Sequence, residues 1–173
     1  MKCSGLRYVA IKIISSRASN ASREVQINRR ILDADNSARR HVVTLLDSFQ
    51  HVGPNGVHDC LVFEPMGPDV ASCLHDPVPY REARSICEQL LMALQCLHDL
   101  GIVHADTNPG NLLVSLEHPI EVLSVGGNSA LVRVDGTHGR CTPQRIYEDR
   151  PLTDFCEQNA STKFKLSDLG AGT

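Results

Sequence analysis

Residues 102–113 read IVHADTNPGNLL: a polar, turn-forming run held between apolar ends. Pro109-Gly110 reads as a turn, so the segment is expected to be a loop that reverses into a short strand at Leu112-Leu113-Val114. Directly before it, Ala83, Ile86, Leu90, Ala93, Leu94 and Leu97 recur at helical spacing. This predicts an amphipathic helix over residues 79–100 with Gly101 as its stop.

Working outward, Leu6 to Ile14 (LRYVAIKII) is rich in β-branched residues and reads as a strand with Lys12 as its one central charge. Val25, Ile27, Ile31 and Leu32 predict a helix over about 20–34, with Ser19 or Asn20 as its cap. Strands over 42–50 and 59–64 flank Gly53-Pro54-Asn55-Gly56 and predict an antiparallel hairpin. Residues 117–163 lack strong periodicity and read as an insertion, with a possible hairpin about Gly126-Gly127-Asn128 between EVLSV and ALVRV. Phe164 to Ser167 reads as a short strand leading into Asp168-Leu169-Gly170.

Composition narrows the classes. The chain has 173 residues, a net charge of −3, 42% hydrophobic and 21% charged residues, as expected of a globular domain and not of a disordered or fibrous one. Four Phe, three Tyr and no Trp leave the core to Leu, Val and Ile. With 17 Lys plus Arg against 20 Asp plus Glu, direct nucleic-acid binding is not expected. No apolar run is long enough to predict a membrane span, and none follows Met1 to suggest a signal peptide. Seven cysteines without a C-x-x-C pair argue against a disulfide framework or zinc ribbon and favour a reducing compartment, cytoplasmic or nuclear.

Three features then stand in a fixed order: Val9-Ala10-Ile11-Lys12, His104-x-Asp106-x-x-x-x-Asn111, and Asp168-Leu169-Gly170. From average residue usage, the first two in this order arise by accident on the order of once in 10⁵ chains of this length. The order is that of the protein-kinase signature set. Phosphoryl transfer needs a cation on a rigid strand to hold the nucleotide's phosphates, and Lys12 is placed for it. Glu24, early in the next helix, can anchor that ammonium. Asp106 would orient the acceptor hydroxyl and take its proton, while Asn111 and Asp168 are oxygen ligands suited to Mg²⁺. His104 is expected to support the loop.

With these residues in place, the chain resembles eukaryotic serine/threonine protein kinases, specifically the family that phosphorylates Arg/Ser-rich splicing factors, in its fungal style. The most specific passage is His41 to Gly67, HVVTLLDSFQHVGPNGVHDCLVFEPMG. The resemblance implies ATP and Mg²⁺ as cofactors, Arg/Ser-rich proteins as substrates, Phe63 as the gatekeeper behind the adenine, and backbone groups of Glu64 and Met66 facing the base. Asp-Leu-Gly, and the long spacer of 56 residues between Asn111 and Asp168 (positions 112 to 167), are also that family's habit. The resemblance covers most of residues 6–116 and 163–172.

The departures carry weight. The family's Lys two places after the catalytic Asp is Asn108 here, and Thr107 replaces the usual Leu or Ile. Loss of one preorganised electrostatic donor costs on the order of 10²- to 10³-fold in rate. HADTNPGNLL also resembles the loop of small-molecule phosphotransferases of the aminoglycoside and choline kinase type. The expectation is therefore an α+β, incomplete two-lobe kinase fold. Residues 1–66 would be a partial small lobe lacking the Gly-rich loop, 67–116 the start of the large lobe, 117–163 a spacer and 164–173 the strand and metal-binding motif. Such a chain is expected to bind Mg·ATP weakly. The alternatives are a pseudokinase or binding module without turnover, and a small-molecule phosphotransferase.

Overall fold

Cys60, Leu61 and Val62 are three consecutive buried residues, so both faces of their strand are covered and it must lie inside its sheet. The computed structural model describes residues 8–15, 22–34, 37–54, 56–73, 78–116, 128–130, 145–147 and 162–172. In it, β1 (Ala10–Ile13) and β2 (Leu45–Gly53) flank β3 (Gly56–Phe63) in an antiparallel sheet of order β1-β3-β2. Lys12 pairs with Leu61 and Phe49 with Cys60. The expected hairpin forms, with both strands reaching closer to the turn than the sequence suggested. Gly56 takes φ 117°, a conformation that only glycine adopts without strain. At its other end β2 begins at Leu45, not Val42, because Val42 makes a parallel bridge to Leu166 instead.

α1 (Ser22–Asp33) presents Glu24, Ile27, Asn28 and Ile31 inward at helical spacing. The expected caps Ser19 and Asn20 lie outside the described residues. β4 (Met66–Asp69) and the single turn α2 (Val70–Cys73) follow β3 and lead to α3 (Tyr80–Asp99). α3 ends as its glycine predicts: Gly101 has φ 65°, its N–H reaches His98 O at 2.8 Å, and Ile102 N–H reaches Leu97 O at 2.9 Å. These two bonds make a Schellman cap, closed by the apolar contact of buried Ile102 with buried Leu97.

β4 was not anticipated. It is the outer strand of a second antiparallel sheet, β4-β5-β8, with β5 (Leu112–Ser115) central and β8 (Phe164–Leu166) beyond it. Leu112 pairs with Leu166 and Val114 with Phe164, and all four are buried. These alternate residues share one core cluster with Ile86, Ala93 and Leu97 of α3. Leu113 and Lys165, paired on the other face, are left toward the space between the two sheets. Val42 and Val43 join the sheets, Val43 N–H donating to Leu166 O at 2.9 Å.

Within the insertion, β6 (Asn128–Ala130) pairs antiparallel with β7 (Arg145–Tyr147). Asn128, expected in the turn of a hairpin about Gly126-Gly127-Asn128, is instead a strand residue paired with Tyr147. The rest of that hairpin, 121–127 and 131–134, lies outside the described residues.

Leu97 is fully buried, whereas Leu91 on the same helix is 65% exposed. Leu97→Ala is expected to lower unfolding free energy by about 2–5 kcal/mol and Leu91→Ala by less than about 0.5 kcal/mol, read by urea denaturation. Equal effects of the two substitutions would contradict this placement of the core.

Candidate active site

The two sheets leave between them a cleft of about 400 Å³, lined by Ala10, Lys12, Glu24, Phe63, Glu64, Met66, Leu113 and Asp168 among others. Strand alternation sends Lys12 into it, while Ile11 and Ile13 are more than half exposed. The Lys12 ammonium donates to Glu24 Oε1 at 2.8 Å and to Asp168 Oδ1 at 2.6 Å. Glu24 is only 7% exposed and sits in the first turn of α1, where the helix dipole favours an anion. Its carbonyl also accepts Asn28 Nδ2, one turn on, at 2.9 Å.

Charge is balanced around Lys12 by these two carboxylates. Burial opposes its protonation, but the hydrogen bonds and charges of Asp168 and Glu24 outweigh that and hold its pKa above the ordinary 10.5. The Lys12 hydrogen bond, against a smaller opposing effect of burial, holds Asp168 below the ordinary 3.8. Asp168 itself has φ 61° and ψ 69°, the left-handed region that few residues other than glycine enter. Ala105 is the other described non-glycine residue with positive φ, at 65°. Ala105 lies beside Asp106 and Asp168 is itself a candidate functional residue, positions where such strain is commonly kept.

Asp106, Asn108 and Asn111 form a second cluster, outside the residues lining the cleft. Asn111 Nδ2 donates to Asp106 Oδ2 and to its carbonyl, both at 2.9 Å. Its amide oxygen remains the group available for a cation. Asn108, where the family carries Lys, caps the 3₁₀ turn Pro109–Asn111: its Oδ1 accepts the N–H groups of Gly110 and Asn111, and its Nδ2 donates to Asp106 Oδ1 at 3.1 Å. Both Asp106 carboxylate oxygens therefore accept an amide N–H.

Ser167 couples the clusters. Its N–H and its hydroxyl both donate to Asn111 O at 2.8 Å, and its own carbonyl meets His104 Nε2 at 2.9 Å. His104, 1% exposed, also accepts Asp106 N–H on Nδ1 at 3.3 Å, so one neutral tautomer with its proton on Nε2 serves both contacts. His104 thus braces the loop from inside. Ser167 carries no motif signal in a single sequence, and its part was not foreseen.

Phe63 ends β3 opposite Ala10 and Leu45, and Met66 begins β4 opposite Ser115. Glu64 N–H is taken by Thr44 O at 3.1 Å, leaving its carbonyl as the backbone group it can offer the cleft. Its side chain has a part the sequence did not reveal. Glu64 Oε1 accepts Thr44 N–H at 2.7 Å and Lys165 Nζ at 2.6 Å, tying the end of β3 to β8 three residues before Asp168. Among the described residues no group of three or more His, Cys, Asp or Glu could hold a metal ion, and Cys60, Cys87 and Cys96 are free thiols. No described helix is long and apolar enough to cross a membrane.

The pair's contribution to stability has a defined pH window. Asp168, with its lowered pKa, contributes above pH 3.8 and loses that contribution as pH falls through its folded value; Lys12 contributes below pH 10.5 and loses it as pH rises through its own. Because Lys12 is 39% and Asp168 50% exposed, screening limits the pair to about 1 kcal/mol or less. The stability difference between the parent chain and Asp168→Asn is expected to be flat through neutral pH and to shrink in acid below 3.8. A difference that grows on acidification would contradict the pairing.

Comparison with known proteins places this geometry. The family described as the protein kinase domain matches residues 2–133, a span that holds Lys12, Glu24, Asp106 and Asn111 and ends before Asp168. Protein kinase dsk1 of Schizosaccharomyces pombe is 36% identical over 121 residues, covering 64% of this chain and 22% of that protein. Serine/threonine-protein kinase SKY1 of Saccharomyces cerevisiae is 34% identical, covering 63% of this chain and 16% of that protein. SRSF protein kinase 3 of Mus musculus is 32% identical, covering 62% of this chain and 21% of that protein. The chain spans about a fifth of the length of these curated relatives. A nucleotide-sized cleft crossed by a Lys–Glu pair, the ordered loop motif and the matched span lead to one conclusion: the chain belongs to the protein kinase domain family.

Proposed function

We propose that the chain carries the nucleotide cleft and catalytic loop of an ATP-dependent serine/threonine protein kinase acting on Arg/Ser-rich proteins in the cytoplasm or nucleus. The observation that carries this reading is Lys12 bonded to both Glu24 and Asp168 at the cleft, with Asn111 tied to Ser167, the residue before Asp168. The small lobe would run to residue 66, the large lobe would begin at 67, and residues 117–163 would be a spacer. The similarity to these three protein kinases supports the protein-kinase class over a small-molecule phosphotransferase.

The residues present fit Mg·ATP. About 400 Å³ of cleft walled by Ala10, Val43, Phe63 and Leu113 suits a planar base, and Glu64 and Met66, whose backbone groups would face that base, are among its lining residues. Mg·ATP would supply the transferable phosphoryl group and the charge neutralisation its transfer needs. Lys12, held by Glu24, would bind the nucleotide's phosphates. The amide oxygen of Asn111 and the carboxylate of Asp168 are the hard oxygens suited to Mg²⁺. Asp106 would orient the acceptor hydroxyl and take its proton.

Isothermal calorimetry with Mg·ATP tests the cleft. Lys12→Ala is expected to weaken binding at least about tenfold, since a hydrogen bond to a charged group contributes about 1.5–3 kcal/mol. Micromolar affinity unchanged by Lys12→Ala would refute the assignment. Radiolabelled phosphate transfer to an Arg/Ser-rich peptide tests the chemistry, with Asp106→Asn expected to lower the rate about 10²-fold or more.

Asn108 favours a second reading, a module that binds nucleotide but turns it over poorly. A neutral amide cannot give a phosphoryl group the charge a lysine gives, and here that amide is engaged with Asp106 and the 3₁₀ turn. Asn108→Lys separates the readings. It should raise the transfer rate by up to about 10²-fold while lowering stability by about 1 kcal/mol through loss of the cap. An unchanged rate would show that Asn108 is not the limiting residue.

A further inference from the structure

Beside the cleft, and sharing Asn28, Val42 and Val43 with it, lies a second cavity of about 300 Å³. Arg39, Arg40 and Lys165 line it together with Ser37 and Thr44, and no carboxylate is among its described lining residues. The three cations are not equivalent. Lys165 is bonded to Glu64, which offsets its charge. Arg39 donates one guanidinium nitrogen, Nη1, to Leu32 O at 2.6 Å and to Ala34 O at 3.4 Å. Those carbonyls close the C-terminal turn of α1, so the group is held in place with its other donors unspent by these bonds. Arg40 makes no hydrogen bond among the described residues. Its charge is nonetheless felt nearby: His41 has a pKa below the ordinary 6.5, first through burial and then through Arg40.

Two guanidiniums without a carboxylate partner among the described residues, beside a polar-walled cavity, are a recognition pattern for a planar-faced, doubly charged oxyanion, because each fork can give two parallel hydrogen bonds. A carboxylate would neutralise only one of the two charges. We propose that this cavity, between the C-terminal end of α1 and the 3₁₀ turn Ser37–His41, is a binding site for a phosphate monoester, separate from the nucleotide cleft. It is independent of the kinase reading, since Lys12, Asp106 and Asp168 take no part in it. Its volume admits a phosphate together with the small group that carries it. Occupancy would bear on the cleft through Asn28, which lines both cavities and holds the carbonyl of Glu24, and through Lys165, which holds Glu64 of the cleft.

The test is a titration of the whole chain with inorganic phosphate, O-phosphoserine and a phosphoserine peptide at constant ionic strength set by chloride, followed by backbone amide NMR shifts. Saturable shifts at residues 37–45 are expected with phosphate and with O-phosphoserine. The peptide binding more tightly than the free amino acid would identify a protein-borne phosphate, and equal affinity a small-molecule ester. Arg40→Ala and Arg40→Glu are expected to weaken binding at least about tenfold with an unchanged melting temperature, and Lys12→Ala to leave it intact. The proposal is overturned by shifts that do not saturate, by affinity indifferent to Arg40, or by binding that disappears with Lys12→Ala, which would place the anion in the cleft.

Discussion

One ammonium group, that of Lys12, meets carboxylates from two distant parts of the chain. It stands on an edge strand, Glu24 is on the helix that follows, and Asp168 is 156 residues away in sequence. A long lysine stem on a strand has considerable rotamer freedom, and fixing it costs entropy that a single exposed ion pair barely offsets. Two acceptors, one of them nearly buried, make the fixed position worthwhile. The consequence is geometric: α1 cannot move relative to β1, nor the segment after β8 relative to either, without unpairing a charge at the cleft.

The other half of the site depends on neutral bonds. Ser167 grips the carbonyl of Asn111 twice, His104 holds the carbonyl of Ser167 from within the core, and Asn108 and Asn111 each hold a carboxylate oxygen of Asp106. Two left-handed residues, Ala105 and Asp168, let the chain turn sharply at each cluster. The buried faces of β5 and β8 against α3 supply the rigidity that sustains this strain. Packing, backbone strain and the placement of polar groups therefore form one linked arrangement, in which the core holds the loops and the loops hold the charges.

Much of this was readable in the residues. Lys12 and Glu24 could be placed because a β-branched strand and an amphipathic helix each fix which way a side chain points. α3 and its glycine stop were readable from period and cap chemistry alone. What escaped depended on tertiary pairing. β4, Met-Gly-Pro-Asp, has no strand-forming composition and becomes a strand only because β5 lies beside it. Val42 has the β-branched character of the hairpin strand but bridges to Leu166 in the other sheet. Asn108 was legible as a departure from a lysine, but its bonds to Asp106 follow from a loop reversal that no local pattern encodes. Glu64 drew notice for its backbone, whereas its carboxylate clasps Lys165.

The central claim is that Lys12 marks where the phosphates of a nucleotide lie. An acyl-phosphate derivative of ATP, which transfers its acyl group to an amine held against the phosphates, tests this directly when the labelled peptide is identified by mass spectrometry. The account predicts label on Lys12 that excess Mg·ATP suppresses. Label confined to other lysines, or label on Lys12 that Mg·ATP does not reduce, would contradict it.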